Sequence, residues 1–135
     1  MPKISPTEEA ALNSGTICFD RELFSGDPST KLLLDKYSAK LSAEEQSFID
    51  NEVEVLCEML DSHQIDEDQN LSPEVWKYIR ENKFMGLVIP KAYGGLGFSG
   101  HGHAKIVQKI AGRNGAGAVS VMVPNSLGPG ELLYH

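Results

Sequence analysis

Glycine is placed unevenly along this chain, and that placement limits the folds open to it. Only Gly15 and Gly26 precede Gly86; the other 11 of the 13 glycines follow from there. Glycine inside a helix is unfavourable, and a glycine cluster punctuates the backbone. The stretch up to Glu81 is therefore helix-permissive, and the remainder is built of short pieces joined by turns.

Helix starts are written into the first stretch. Ser5-Pro6-Thr7-Glu8 and Ser42-Ala43-Glu44-Glu45 have the form of capping boxes, in which a serine and the residue three positions on satisfy each other's free backbone donors. Asp27-Pro28 and Ser72-Pro73 pair a cap with proline at the first helical position. Gly15 supplies a stop for the first of these helices, and Leu32, Leu33 and Leu34 follow the second start. Residues 1–41 thus read as a leader of short helices, and 42–135 as a helical domain.

After Ser42 the spacing predicts one helix to about Ser62. Ile49, Val53, Leu56 and Leu60 recur at helical intervals, Phe48, Val55 and Met59 widen the stripe, and Glu44, Glu54, Glu58 and Asp61 lie opposite. A third helix from Ser72 to about Asn82 carries Val75, Trp76 and Ile79 on its apolar face. Met85–Pro90 is too short to decide between strand and buried coil. Ser99 caps a helix through about Asn114, with Ala104, Val107, Ile110 and Ala111 on one face.

Val119–Val123 alternates and is β-branched, which favours a strand locally. A lone strand would leave buried backbone groups without partners, and no second strand stands out, so a helix is expected. That helix places Ser120, Val123 and Pro124 along one side. Pro129 followed by Leu132-Leu133-Tyr134-His135 reads as a helix barely begun. It suggests a fragment of a longer protein.

Charge separates along with glycine. Through Glu81 there are 18 acids and 7 bases, a net of −11; the rest carries one acid and 5 bases, a net of +4. The acidic part disfavours nucleic acid. The basic part suits either an anionic ligand or a surface that meets another domain. No apolar run approaches the roughly 18 residues of a membrane span, and Met1–Ser5 opens no signal peptide. The chain reads as soluble and cytoplasmic. Cys18 and Cys57 lack metal-site spacing and read as free thiols.

Two patterns hint at chemistry. Gly95-Leu96-Gly97-Phe98-Ser99-Gly100 has the G-x-G-x-x-G form of a dinucleotide turn. The acid expected about 20 residues further on is missing, and Pro90 stands well short of the glycines. His101 and His103 make an H-x-H pair without a third ligand at suitable spacing. Asp66, Glu67 and Asp68 read as a solvated acidic loop. No residue of the chain is expected to be catalytic, to bind a cofactor or to hold a metal.

Gly86-Leu87-Val88-Ile89-Pro90-Lys91-Ala92-Tyr93-Gly94-Gly95-Leu96-Gly97 resembles the glycine segment of acyl-CoA dehydrogenases. Leu41–Gln46 and Trp76–Phe84 resemble that family's entry to its first helix and its approach to the loop. Val123-Pro124-Asn125-Ser126-Leu127-Gly128-Pro129-Gly130-Glu131-Leu132-Leu133 is similar to the large bacterial fatty acyl-CoA dehydrogenases of β-oxidation. So is the leader, through Gly15-Thr16, Leu23–Gly26 and Lys40–Ser42. One departure is Lys83, where the family usually has glycine. Asn82 or Lys83 must then adopt any left-handed cap, which asparagine tolerates better.

The resemblance implies an all-α N-terminal domain of an FAD-dependent oxidoreductase in fatty-acid metabolism. A β-domain and a C-terminal helical bundle would hold the flavin. A glutamate outside this chain would remove the α-proton while flavin N5 takes the β-hydride, giving a trans-2-enoyl-CoA. This domain would wall the acyl pocket, with Val119, Ser120, Val123 and Pro124 as the residues that bind substrate. Implied partners are fatty acyl-CoA, the remaining domains of the same chain, further copies in a homo-oligomer and an electron-transferring flavoprotein. For the complete protein the resemblance also implies association with a membrane. An acyl-CoA oxidase or flavin monooxygenase on the same scaffold, and a non-catalytic helical interaction module, remain as alternatives.

Overall fold

The structure is a computed structural model that describes residues 5–14, 23–31, 34 and 39–126. The chain divides into two units, Met1–Ala39 and Lys40–His135. In the first unit, helix α1 spans Pro6–Ser14 and starts with the Glu9 N–H donating to the Ser5 carbonyl at 2.9 Å. Residues 30 and 31, just after Asp27-Pro28, are helical. The expectations for Gly15, Cys18, Leu32, Leu33, Pro129 and Leu132–His135 lie outside the described residues.

The second unit is helical, and no strand occurs among the described residues. Its elements are α2 (Ala43–Asp50), α3 (Glu52–Met59), α4 (Ser62–Asp68), α5 (Pro73–Glu81), α6 (Gly100–Arg113) and α7 (Gly115–Ser126). Two 3₁₀ turns, Phe84–Gly86 and Lys91–Tyr93, lie between α5 and α6. The serine caps form as expected: Ser42, Ser72 and Ser99 side chains accept from the N–H groups of Glu45, Val75 and Gly102.

The long helix expected after Ser42 is two helices. At Asn51 the backbone departs from helical geometry, and the Asn51 amide donates to the Ser47 carbonyl at 2.7 Å. The chain leaves α3 at Leu60, which is extended, and Asp61 caps α4 by accepting from His63 and Gln64. Asp66, Glu67 and Asp68, expected as a loop, form the end of α4 and remain exposed. An aspartate cap four residues before the apolar Ile65 was enough to start a short helix there.

Lys83, not Asn82, takes the left-handed conformation, with φ 59°. Asn82 instead donates its side-chain amide back to the Tyr78 carbonyl at 3.0 Å, which fixes it in the last turn of α5. Met85–Pro90, left open between strand and buried coil, is a 3₁₀ turn followed by coil, with Leu87 fully buried.

The core gathers Val53, Leu56 and Leu60 of α3 and its exit, Val75 and Ile79 of α5, Phe84, Leu87, Ile106 and Ile110 of α6, and Val121 of α7. Each side chain fully buried in this way contributes about 2 kcal/mol. Phe48 anchors one end, with its ring centroid 4.9 Å from Phe84 and 5.3 Å from Phe98. Gly117 lets α7 approach closely, because a Cβ there would lie 2.9 Å from a Leu60 methyl.

Candidate functional site

Val119–Val123 is helical, as expected for a segment whose backbone donors have no strand to pair with. Asn114 starts α7: its side-chain oxygen accepts from the Gly117 N–H at 2.9 Å, and its amide donates to Ser62 at 3.1 Å. Near the other end Asn125 is 4% exposed. Its amide donates to the Phe84 carbonyl at 2.6 Å and the Val121 carbonyl at 2.8 Å, while its oxygen accepts from the Val88 N–H at 3.4 Å. Both asparagines bind α7 to distant segments. Neither was singled out from the sequence, since their partners are 52 and 41 residues away.

With Gly117, Ala118, Val121 and Asn125 turned inward, the opposite side of α7 is open. Val119 is 53% exposed, Met122 36% and Val123 43%. Ser120 and Pro124 are half-buried beside them. The four residues named from the sequence thus share one flank of one helix. The Ser120 hydroxyl donates back to the Ala116 carbonyl at 2.9 Å, and Ser126 does the same to Met122 at 2.8 Å. Neither presents its proton to a ligand, so this face is predominantly apolar.

A recess of about 260 Å³ adjoins it, lined by the polar Asp66, Gln69, Asn70 and Ser120 together with Ile65, Leu71, Trp76 and Ala116. A larger recess of about 410 Å³ lies across the domain, with Glu44, Glu52 and Glu81 around Phe48 and Phe98. With Lys83 the one cation in the lining, the three carboxylates leave this recess net negative, which disfavours a phosphate-bearing ligand.

The glycine loop is occupied with its own structure. The N–H groups of Gly95, Leu96, Gly97 and Phe98 donate to the carbonyls of Pro90, Gly86, Ile89 and Leu87, at 3.3, 3.0, 2.8 and 2.8 Å. Gly95 is required, because a Cβ there would overlap the Ile89 carbonyl. A dinucleotide turn keeps such donors free for phosphate. These residues therefore do not fit a flavin cradle, and no residue described here takes that part.

Glu45 closes the loop instead. It is 4% exposed. It accepts from the Ser42 N–H, the Ser99 N–H and the Ser99 hydroxyl, each at 2.7 Å. Burial pushes this carboxyl upward, but the hydrogen bonds from Ser42 and Ser99 outweigh it and hold the pKa at about 2. Gly102 leaves the room, since a Cβ there would collide with the Glu45 carboxylate.

The uneven charge is partly resolved within the domain. Lys91 pairs with Glu44 at 2.7 Å. Lys109 pairs with Glu54 and donates to the Ile49 carbonyl at 2.8 Å. Arg113 donates to the Cys57 carbonyl at 3.1 Å. His101 and His103 lie at the start of α6. Burial lowers the His103 pKa. No cluster of three metal-binding side chains occurs among the described residues. Cys57 is a free thiol, pushed up by burial. Among the described residues, no helix is long and apolar enough to cross a membrane.

Comparison with known proteins agrees with this architecture. The family described as acyl-CoA dehydrogenase, N-terminal domain, matches residues 40–135. The 3-(aryl)acrylate reductase of Clostridium sporogenes (strain ATCC 15579) is 27% identical over 82 residues, covering 61% of this chain and 20% of that protein. The chain therefore spans a small part of the length of that relative. No solved structure matches. An all-helical unit starting at Lys40, with its glycine loop folded on itself, and a match that begins at the same residue make this chain a member of the acyl-CoA dehydrogenase family, carrying its N-terminal domain.

Proposed function

We propose that this domain walls the acyl pocket of an FAD-dependent dehydrogenase acting on fatty acyl-CoA. The observation that carries the reading is the open apolar side of α7, where Val119 and Val123 face solvent beside Ser120 and Pro124. Removing a weakly acidic α-proton requires a dry site with the thioester held in place. In the family the flavin supplies hydride-accepting chemistry. Val119 and Val123 would exclude water and receive the fatty tail. Ser120, its proton committed to Ala116, would keep the wall free of competing donors.

The Clostridium sporogenes relative is named for a reductive reaction on an acrylate. A dry apolar wall serves reduction as well as dehydrogenation, so direction is a matter for assay. Val123→Trp in the complete enzyme tests the pocket. The ratio of kcat/KM for palmitoyl-CoA to that for butyryl-CoA should fall about tenfold, which is about 1.4 kcal/mol of selectivity. An unchanged ratio in a variant that folds and retains FAD would remove Val123 from the pocket.

A further inference from the structure

The start of α6 fixes where its histidines lie. Ser99 caps the helix, and the His103 N–H closes the first turn on the Ser99 carbonyl at 2.9 Å. His103 and Ile110 are two turns apart, so they share one stripe, with Val107 beside it. That stripe faces α7: a Cβ on Gly117 would lie 3.5 Å from the Ile110 side chain, and Asn114 caps the start of α7. His103 therefore sits in the seam between α6 and α7.

Its ring is half-buried. Among the described residues, Nε2 of His103 is the one side-chain nitrogen or oxygen enclosed without a hydrogen-bond partner. Buried polar groups are almost always paired, so such an orphan needs an account. A neutral imidazole carries one proton. On Nε2 that proton would be buried with no acceptor, so it belongs on Nδ1, on the open side of the ring. A second proton can go only to Nε2, where no protein group accepts it. The surroundings offer no charge to offset it. Helix α6 packs on α2, α3 and α7, and α7 carries no titratable side chain. On α2, Glu45 is committed to Ser42 and Ser99, Glu44 to Lys91 and Asp50 to Gln46. On α3, Glu54 pairs with Lys109, and the Cys57 carbonyl accepts from Arg113. Those contacts place Lys109 and Arg113 on the flank of α6 turned toward α2 and α3. Burial is what acts on His103, and it lowers the pKa.

We propose that His103 is an acid-sensitive catch between α6 and α7: the neutral ring lets the two helices pack, and the protonated ring loosens α7 together with its open apolar side. The sign follows from burial. In the unfolded chain the ring takes up its proton near about pH 6.5. Above that pH both forms are neutral and nothing is lost. Below it the unfolded form gains a proton that the folded form refuses, so the unfolding equilibrium rises by up to about tenfold per pH unit. The loss is complete once the pH has passed below the lowered pKa of the folded ring.

Urea unfolding of the full chain from about pH 7.5 to about pH 5.5 tests this, with hydrogen exchange followed along α7. The parent's unfolding equilibrium should rise about threefold to tenfold over the last unit. His103→Leu, which keeps an apolar helix former in the seam, should stay flat within about twofold. Glu45, with its pKa held at about 2, keeps its charge throughout and adds no slope. His101→Gln, on the same helix, should follow the parent. After correction for intrinsic exchange, the N–H groups of Val119–Val123 should open in acid before those of Gly97 and Phe98, which the loop's own carbonyls hold. A parent as flat as His103→Leu, or a slope abolished by His101→Gln, overturns the proposal. Equal opening of α7 and the loop overturns the seam as the part that yields. Where His103→Leu does not fold, NMR of the ring nitrogens in the parent decides. A neutral ring protonated on Nδ1 that titrates below its unfolded value supports the catch. Titration at or above that value, or a neutral ring protonated on Nε2, overturns it.

Discussion

The glycine loop and helix α7 differ in what the fold leaves unsatisfied. The loop has the form of a phosphate-binding turn, yet the donors of Gly95–Ser99 end on carbonyls or on Glu45 of the same domain. Helix α7 has no such polar pattern, and what it leaves open is a strip of exposed valine and methionine. Satisfied polar groups mark the loop as architecture. Unsatisfied apolar area marks the helix as a place where something else must sit. Substitutions in the loop should therefore damage stability, and substitutions on the open side of α7 should damage only recognition.

Gly95→Ala should be the most damaging, because its Cβ would overlap backbone that cannot rotate away. We expect a loss of about 3 kcal/mol or more in urea unfolding, up to failure to fold. Glu45→Gln should cost about 2 kcal/mol, since a donor amide replaces one acceptor among three donors. Its pH dependence has a defined sign. The Glu45 pKa is lowered from 4.5 to about 2 on folding, so its contribution is complete above pH 4.5 and is lost as pH falls toward 2. The parent's unfolding free energy should drop more across that window than that of Glu45→Gln. Equal slopes would show that Glu45 is not the group responsible.

Asn125→Ala should cost between these and nothing, about 1.5 kcal/mol, by stranding the Phe84 carbonyl and the Val88 N–H. Val119→Ser should change unfolding by less than about 0.5 kcal/mol, as it removes exposed surface only. A loss of about 1 kcal/mol or more, twice the expected ceiling, would mean that this side of α7 is packed, and would erase the contrast with the loop.

What the sequence disclosed was local. Ser42, Ser72 and Ser99 cap helices through partners three residues away, and such pairs are visible in a linear chain. The helical state of Val119–Val123 was also legible, because the absence of a partner strand outweighed β-branching. The break at Asn51 was not, since an unbroken stripe of Ile49, Val53 and Leu56 runs through it. Glu45 was readable as half of a capping box but not as the anchor of Ser99, 54 residues on. Asn114 and Asn125 were hidden for the same reason. In the candidate site, the flank of α7 was legible from the resemblance, while the recess against Trp76 required α4, α5 and α7 to be assembled first.

The distance spanned by Glu45 also orders events in time. Its bond to Ser42 closes a turn of helix, which takes on the order of a microsecond or less. Its bonds to Ser99 wait for a chain segment of 54 residues to close, an entropic step that precedes its reward. One carboxylate therefore joins the N-termini of α2 and α6 at two different moments. The early bond can form in a chain still searching for its fold, and the late ones act as a latch, slowing escape from the folded state more than they speed arrival.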